Sequence, residues 1–147
     1  MHHHEAMRCL NFFEPERGSK VAGHRGYFLR GNGVLLNQAL INYALNFLVE
    51  REYTPLQPPF FMNRELMHQT CELNDFEENL YSLENGEAYL IATSEQPISA
   101  FHANEWLKTK DLPLMYAGLS PCFRKEAGAA GRDVWGIFRV HQFEKVE

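Results

Sequence analysis

Arg124 and Glu126 stand two apart in the run Phe123-Arg124-Lys125-Glu126, and Arg139, Phe143 and Glu147 recur at steps of four in the run from Ile137 to Glu147. Between these runs lies Ala-Gly-Ala-Ala-Gly-Arg-Asp-Val-Trp-Gly, residues 127–136. Two β-like runs joined by a glycine-bearing loop predict an antiparallel hairpin with a long connection. Side chains alternate faces along a strand. Parity therefore puts Ile137, Arg139, His141, Phe143, Lys145 and Glu147 on one face, and Phe138, Val140, Gln142, Glu144 and Val146 on the other. Four residues of strand span roughly 13 Å, which on this reading sets Arg139 and Phe143 at opposite ends of a nucleotide. Arginine grips phosphate through a planar fork, and phenylalanine offers a stacking surface for a purine. A solvated hairpin face accounts for the same pattern equally well, because the exposed side of a strand is normally polar.

Upstream, Thr93-Ser94-Glu95-Gln96-Pro97 follows a compact apolar run, Ala88 to Ala92. On these residues alone, helix capping is the simpler reading. Threonine and serine cap helices, glutamate favours the first turn, and Pro97 suits the start of a helix. A substrate ammonium would nonetheless find a carboxylate and a hydroxyl oxygen close together here.

Phe123-Arg124-Lys125-Glu126, then Gly131-Arg132-Asp133, then Phe138-Arg139-Val140-His141-Gln142-Phe143 closely resembles motif 2 of the class II aminoacyl-tRNA synthetases, in the form found in seryl-tRNA synthetases. Thr93-Ser94-Glu95 is similar to that family's Thr-x-Glu loop. The resemblance implies that Thr93 and Glu95 take the ammonium of L-serine and that Glu147 accepts a hydrogen bond from its hydroxyl. Arg124 would hold the serine carboxylate and the α-phosphate of ATP, and Arg139 the γ-phosphate. Phe143 would stack on adenine, and Glu126 would lie near adenine and the incoming tRNA end. Arg124 and Arg139 are the candidate catalytic residues, with ATP and Mg2+ as cofactors and no protein metal ligands expected. Trp135 stands where many relatives carry arginine, which departs from the pattern for the tRNA acceptor end.

Other elements must position these groups. Leu36, Leu40, Tyr43 and Phe47 fall at steps of four, three and four, predicting an amphipathic helix over 34–49. Tyr53 to Met62 is proline-bearing, so it reads as an edge or interface strand. This pair resembles motif 1, the family's dimer interface, with Pro59 as the motif proline and Glu52 where a glycine is usual. An ordinary core helix and strand would fit the segment as well. Asn63 is placed to cap a short helix through Gln69. Glu72 to Gly86 reads as an acidic surface excursion, and a helix is expected from Pro97 to near Lys108. Asp111-Leu112-Pro113 turns the chain, and a strand follows from Leu114 to Ser120. Phe12 to Lys20 reads as a polar loop before a short strand at residues 23–29.

The chain has 147 residues, 45% of them hydrophobic and 13% aromatic, enough for one packed domain and hardly for two. No run approaches the roughly 20 apolar residues that cross a bilayer, and no secretory leader is visible. Three cysteines, Cys9, Cys71 and Cys122, without CxxC spacing fit reduced thiols in a cytoplasmic protein. A net charge of −5 argues against a broad RNA-binding surface.

The fold expected is therefore α+β, a class II synthetase catalytic core with an antiparallel sheet flanked by helices. Residues 1–22 form an amino-terminal segment, tag or linker in origin, and residues 23–147 a partial catalytic domain. His2, His3 and His4 are read either as a tag or as native sequence, with His4-Glu5 similar to a pair that precedes this domain in the family. The resemblance implies a homodimer formed through motif 1, tRNA(Ser) as a partner of the full-length enzyme, and no membrane. Motif 3, the family's magnesium-coordinating acids and its tRNA-gripping arm have no counterpart in the sequence. Two readings stand: a serine–tRNA ligase catalytic domain, or a catalytically incomplete module that binds nucleotide or serine, or dimerises.

Overall fold

The computed structural model describes residues 1–71, 79–126, 131 and 135–147. They form two compact units, one of Met1–Asn42 with Glu126–His141 and one of Tyr43–Lys125 with Gln142–Glu147. Helices and short strands mix in both, an α+β arrangement.

In the second unit, β3 (Thr54–Leu56), β6 (Tyr116–Phe123) and β7 (Gln142–Val146) make one sheet in the order β3-β6-β7. The expected antiparallel hairpin is β6–β7, with Phe123 opposite Gln142 and Leu119 opposite Val146. β3 joins the other side of β6 in parallel, so this sheet is mixed. Pro55 lies on that edge strand, as its missing N–H requires. Pro121 sits inside β6, yet β3 pairs only as far as Gly118. Phe123 directs its N–H away from β7, to the Ile91 carbonyl at 2.9 Å, so the nitrogen of Pro121, two residues earlier, also faces away from the ladder. No ladder bond is lost there.

A second small sheet pairs β4 (Phe61–Asn63) with β5 (Ala88–Leu90). The segment predicted as one proline-bearing strand is thus two, β3 and β4. Met62, Met67, Leu80 and Ile91 form the buried core beneath them. Leu80 lies in the stretch predicted as a surface excursion, and its apolar side chain instead fills that core; residues 72–78 of the stretch lie outside the described residues. α4 (Arg64–Thr70) begins after Asn63, which stands at the N-cap without a side-chain bond. α5 (Glu95–Ser99) is far shorter than the helix expected to reach Lys108. Turns follow at once, and Asn104 takes a left-handed φ of 62°, which no continuing helix accepts.

In the first unit, α1 (His3–Cys9) leads to a two-strand ribbon of β1 (Phe13–Glu14) and β2 (Phe28–Leu29). α2 (Pro15–Ala22) occupies the segment read as a loop. Its polar composition concealed a helix start with proline at the first position, where no N–H is needed. Glu14 accepts from Arg17 and Arg30, each at 2.9 Å, and fastens α2 to the segment after β2. The histidines at the start make specific contacts. His3 Nε2 accepts from the Ile137 N–H at 3.3 Å, and the His4 ring meets Trp135 edge-on at 5.5 Å.

α3 (Asn32–Val49) confirms the predicted helix, but its apolar stripe does not enter a core. Leu36, Leu40, Tyr43 and Phe47 are all exposed. Glu52 takes φ 66°, the left-handed region glycine favours. Among the described residues no helix is long and apolar enough to cross a membrane.

Candidate active site

The second unit gathers Thr93, Ser94, Glu95, Arg124, Phe143, Lys145 and Glu147. β7 supplies Phe143 and Lys145, and Glu147 follows directly after its end. Parity holds over the strand itself, where Phe143 and Lys145 are half-buried and Gln142 and Glu144 are exposed. Upstream it fails. Residues 137–141 are turns and bends, Phe138 is exposed and Val140, two positions on, is buried. Gly136, at φ 64°, opens this irregular stretch, so the strand ruler between Arg139 and Phe143 does not apply. On the other side β6 ends at Phe123, and Glu126 is left-handed at φ 52°, so strand alternation does not put Arg124 and Glu126 on one face.

The Thr93–Glu95 loop lies across the sheet at Gly118, whose N–H and C=O pair with Glu147 at 2.9 and 3.0 Å. A side chain at Gly118 would collide with this loop, since a Cβ there would fall 2.6 Å from Ser94 Oγ and 2.6 Å from Ile98 Cδ1. Both peptide groups of Ala92 are held. Its N–H donates to Gln96 Oε1 at 2.9 Å, and its carbonyl accepts from Arg124 Nε at 3.2 Å. The buried Gln96 also donates to Cys71 Sγ at 2.8 Å. The loop is therefore fixed on both sides before any ligand arrives.

Glu147 is the point of convergence. The Thr93 hydroxyl donates to Oε2, joined by the Ser94 hydroxyl at 2.7 Å and the Glu95 N–H at 3.2 Å. The Lys145 ammonium donates to Oε1 and lies 3.4 Å from Thr93 Oγ1. Burial alone would raise the carboxyl's pKa, but hydrogen bonds from Lys145, Thr93 and Ser94, with the ammonium's charge, together hold it down at about 2. The carboxylate stays charged, oriented and rich in donors. Ser94 stands at the N-cap of α5 and makes no capping bond; its hydroxyl turns to Glu147 instead. Capping therefore does not explain this loop. Glu95 is exposed, and among the described residues its carboxylate has no hydrogen bond or ion pair.

The Arg124 guanidinium lies 5.2 Å from the centre of the Phe143 ring, so cation and stacking surface adjoin. In the first unit, Arg139 pairs with the nearly buried Glu126 at 2.5 Å. Lys145 and Ser94 were not among the sequence candidates. The signal for Lys145 was its i,i+2 spacing from Glu147 on one strand face. Ser94 carried none beyond its neighbour Thr93. Among the described residues no group of three or more His, Cys, Asp or Glu side chains is arranged to hold a metal ion.

Residues 76–147 match the family described as tRNA synthetase class II core domain (G, H, P, S and T). Over those residues the chain resembles the class II tRNA synthetases, and the relatives it matches along its length are serine–tRNA ligases. It is 60% identical to the cytoplasmic serine–tRNA ligase of Dictyostelium discoideum over 149 aligned positions, covering 100% of this chain and 33% of that protein. It is 56% identical to the corresponding protein of Saccharomyces cerevisiae, over 99% of this chain and 32% of that one. The crystal structure of the cytoplasmic serine–tRNA ligase of Naegleria fowleri in complex with AMP superposes with a TM-score of 0.93 at 51% identity, covering 98% of this chain and 34% of that one. The seryl-tRNA synthetase of Pyrococcus horikoshii complexed with ATP gives 0.92 at 47%, covering 97% and 32%. The chain spans about a third of the length of the curated relatives it matches.

Proposed function

We propose that this chain carries the serine-binding and part of the ATP-binding apparatus of a cytoplasmic serine–tRNA ligase. The observation that carries the reading is the convergence of Thr93, Ser94, the Glu95 N–H and Lys145 on the Glu147 carboxylate. Relatives named serine–tRNA ligase, and solved relatives holding AMP or ATP, support the choice of substrates.

On this reading Glu147 accepts a hydrogen bond from the serine hydroxyl, while Thr93 and Glu95 take the ammonium. Arg124 receives the serine carboxylate and the α-phosphate. The serine carboxylate oxygen attacks the α-phosphorus, the new O–P bond forms, and the bond to the departing pyrophosphate breaks. No protein nucleophile is required. The protein positions the reactants and offsets the developing negative charge through Arg124 and Arg139, which receives the γ-phosphate. Phe143 stacks on adenine, and Glu126 serves the adenine side. Magnesium, expected with ATP, would supply charge neutralisation at the phosphates. The seryl group then passes to tRNA(Ser) in the full-length enzyme. An alanine side chain would forgo the hydrogen bond that the serine hydroxyl gives Glu147, so serine is expected to be preferred.

The exposed apolar face of α3 supports a homodimer formed through this helix and the strands after it. That face also favours a second reading, a dimerising module that binds serine or nucleotide without turnover. ATP–pyrophosphate exchange, with serine, alanine and threonine offered separately, decides between them. Exchange with serine alone supports the ligase reading. A folded chain with no exchange above background leaves the module.

A further inference from the structure

We propose that Lys145 makes Glu147 read a hydroxyl and refuse an ammonium. The inference rests on the seryl reading above and concerns one residue that reading does not use. A half-buried carboxylate by itself binds cations better than neutral donors, because an ammonium adds the attraction of opposite charges to the hydrogen bond that a hydroxyl also makes. Left alone, Glu147 would therefore favour L-2,3-diaminopropionate, which has an ammonium where serine has a hydroxyl. Discrimination against it needs a repulsive element as well as an attractive one.

Lys145 supplies that element. It shares a strand face with Glu147, two residues away, so its register cannot drift from that of its partner. Its ammonium sits on Oε1, the oxygen that Thr93, Ser94 and the Glu95 N–H leave to it. It also lies 3.4 Å from Thr93 Oγ1, so it faces the same hydroxyl that is offered to the substrate. The side chain keeps 35% of its surface in water and Glu147 only 22%, so the pair is partly shielded from solvent screening. A second ammonium brought to Glu147 meets the first, and a hydroxyl does not. Exposed Glu95 remains the available anion for the α-ammonium, so the two ends of the amino acid are told apart by charge.

The test is calorimetric binding of serine and diaminopropionate to the whole chain and its variants at about pH 6, below the usual α-amino range. Lys145→Gln keeps hydrogen-bond donors beside Glu147 and removes the charge. The wild-type chain is expected to bind serine in preference to diaminopropionate. The Gln variant is expected to move that preference toward diaminopropionate by about tenfold or more, on the repulsion lost between like charges. Lys145→Arg is expected to keep the wild-type preference, and thermal melts confirm that each variant is folded. A Gln variant with the wild-type preference overturns the proposal, as does a wild-type chain that binds both ligands equally. A wild-type chain that binds no serine overturns the seryl reading itself, and the role of Lys145 falls with it.

Discussion

Replacing Glu147 by glutamine removes one charge and almost no volume. It thereby isolates the electrostatic part of the convergence on that side chain. Its carboxyl is drawn from an ordinary 4.5 to about 2 in the folded chain, against the opposing effect of burial, by Lys145, Thr93 and Ser94. At 1.36 kcal/mol for each pH unit, that difference sets a ceiling of about 3.4 kcal/mol. Water still reaches the pair, with 35% and 22% of the two side chains exposed, so screening reduces the figure to about 1–1.5 kcal/mol. For a chain of this size that corresponds to a fall of roughly 2–6 °C in Tm at neutral pH. The sign of the pH dependence follows from the depressed pKa. Folding favours the ionised form, so the stabilisation is complete above 4.5, fades as pH falls from there to about 2, and is absent below. Other carboxyls titrate alike in both proteins and cancel in the difference. Thermal melts of both chains followed by circular dichroism from about pH 7 down to about pH 2.5 measure this directly. Equal Tm values at neutral pH, or a gap that does not narrow on acidification, would refute the reasoning.

Three further perturbations probe the same site. Gly118→Ala forces a methyl against Ser94 and Ile98, and should cost about 1–3 kcal/mol by overpacking while weakening serine binding; denaturant titration and calorimetry read the two effects. Phe143→Ala removes the stacking surface beside Arg124, so ATP affinity should fall by roughly 5- to 150-fold, for a loss of about 1–3 kcal/mol, with serine affinity nearly unchanged. Arg139→Ala should weaken ATP binding by about tenfold or more, because one guanidinium–phosphate contact is charge-assisted; fluorescence titration with an ATP analogue checks it.

Where side-chain patterning alone decides structure, the sequence was readable. β7 behaves as parity demands from Gln142 onward, because it is a regular strand paired along its length with β6. The same rule failed at Arg139 and Phe138, since alternation holds only where the backbone is extended, and Gly136 begins a bent stretch instead. α3 was legible from its spacing, but spacing does not reveal which side is covered, and the stripe proved exposed. α2 was hidden because a short polar helix held by Glu14, Arg17 and Arg30 has no apolar stripe to betray it. The early end of α5 was hidden for the opposite reason. Ala100, Phe101 and Ala103 suit a helix locally, and the turn through Asn104 overrides them. Roles for Thr93, Glu95 and Glu147 came from family resemblance. The nearness of Thr93 and the Glu95 N–H to Glu147, 54 and 52 residues away, is a tertiary fact that spacing cannot supply.

The most direct measurement is a crystal structure of the chain with a non-hydrolysable seryl-adenylate analogue. The serine hydroxyl should lie within about 2.6–3.0 Å of a Glu147 carboxylate oxygen, with the ammonium at Thr93 and Glu95 and adenine against Phe143. A hydroxyl directed elsewhere, with Glu147 still bound only by Thr93, Ser94, the Glu95 N–H and Lys145, would contradict the assignment of Glu147 as the residue that reads serine.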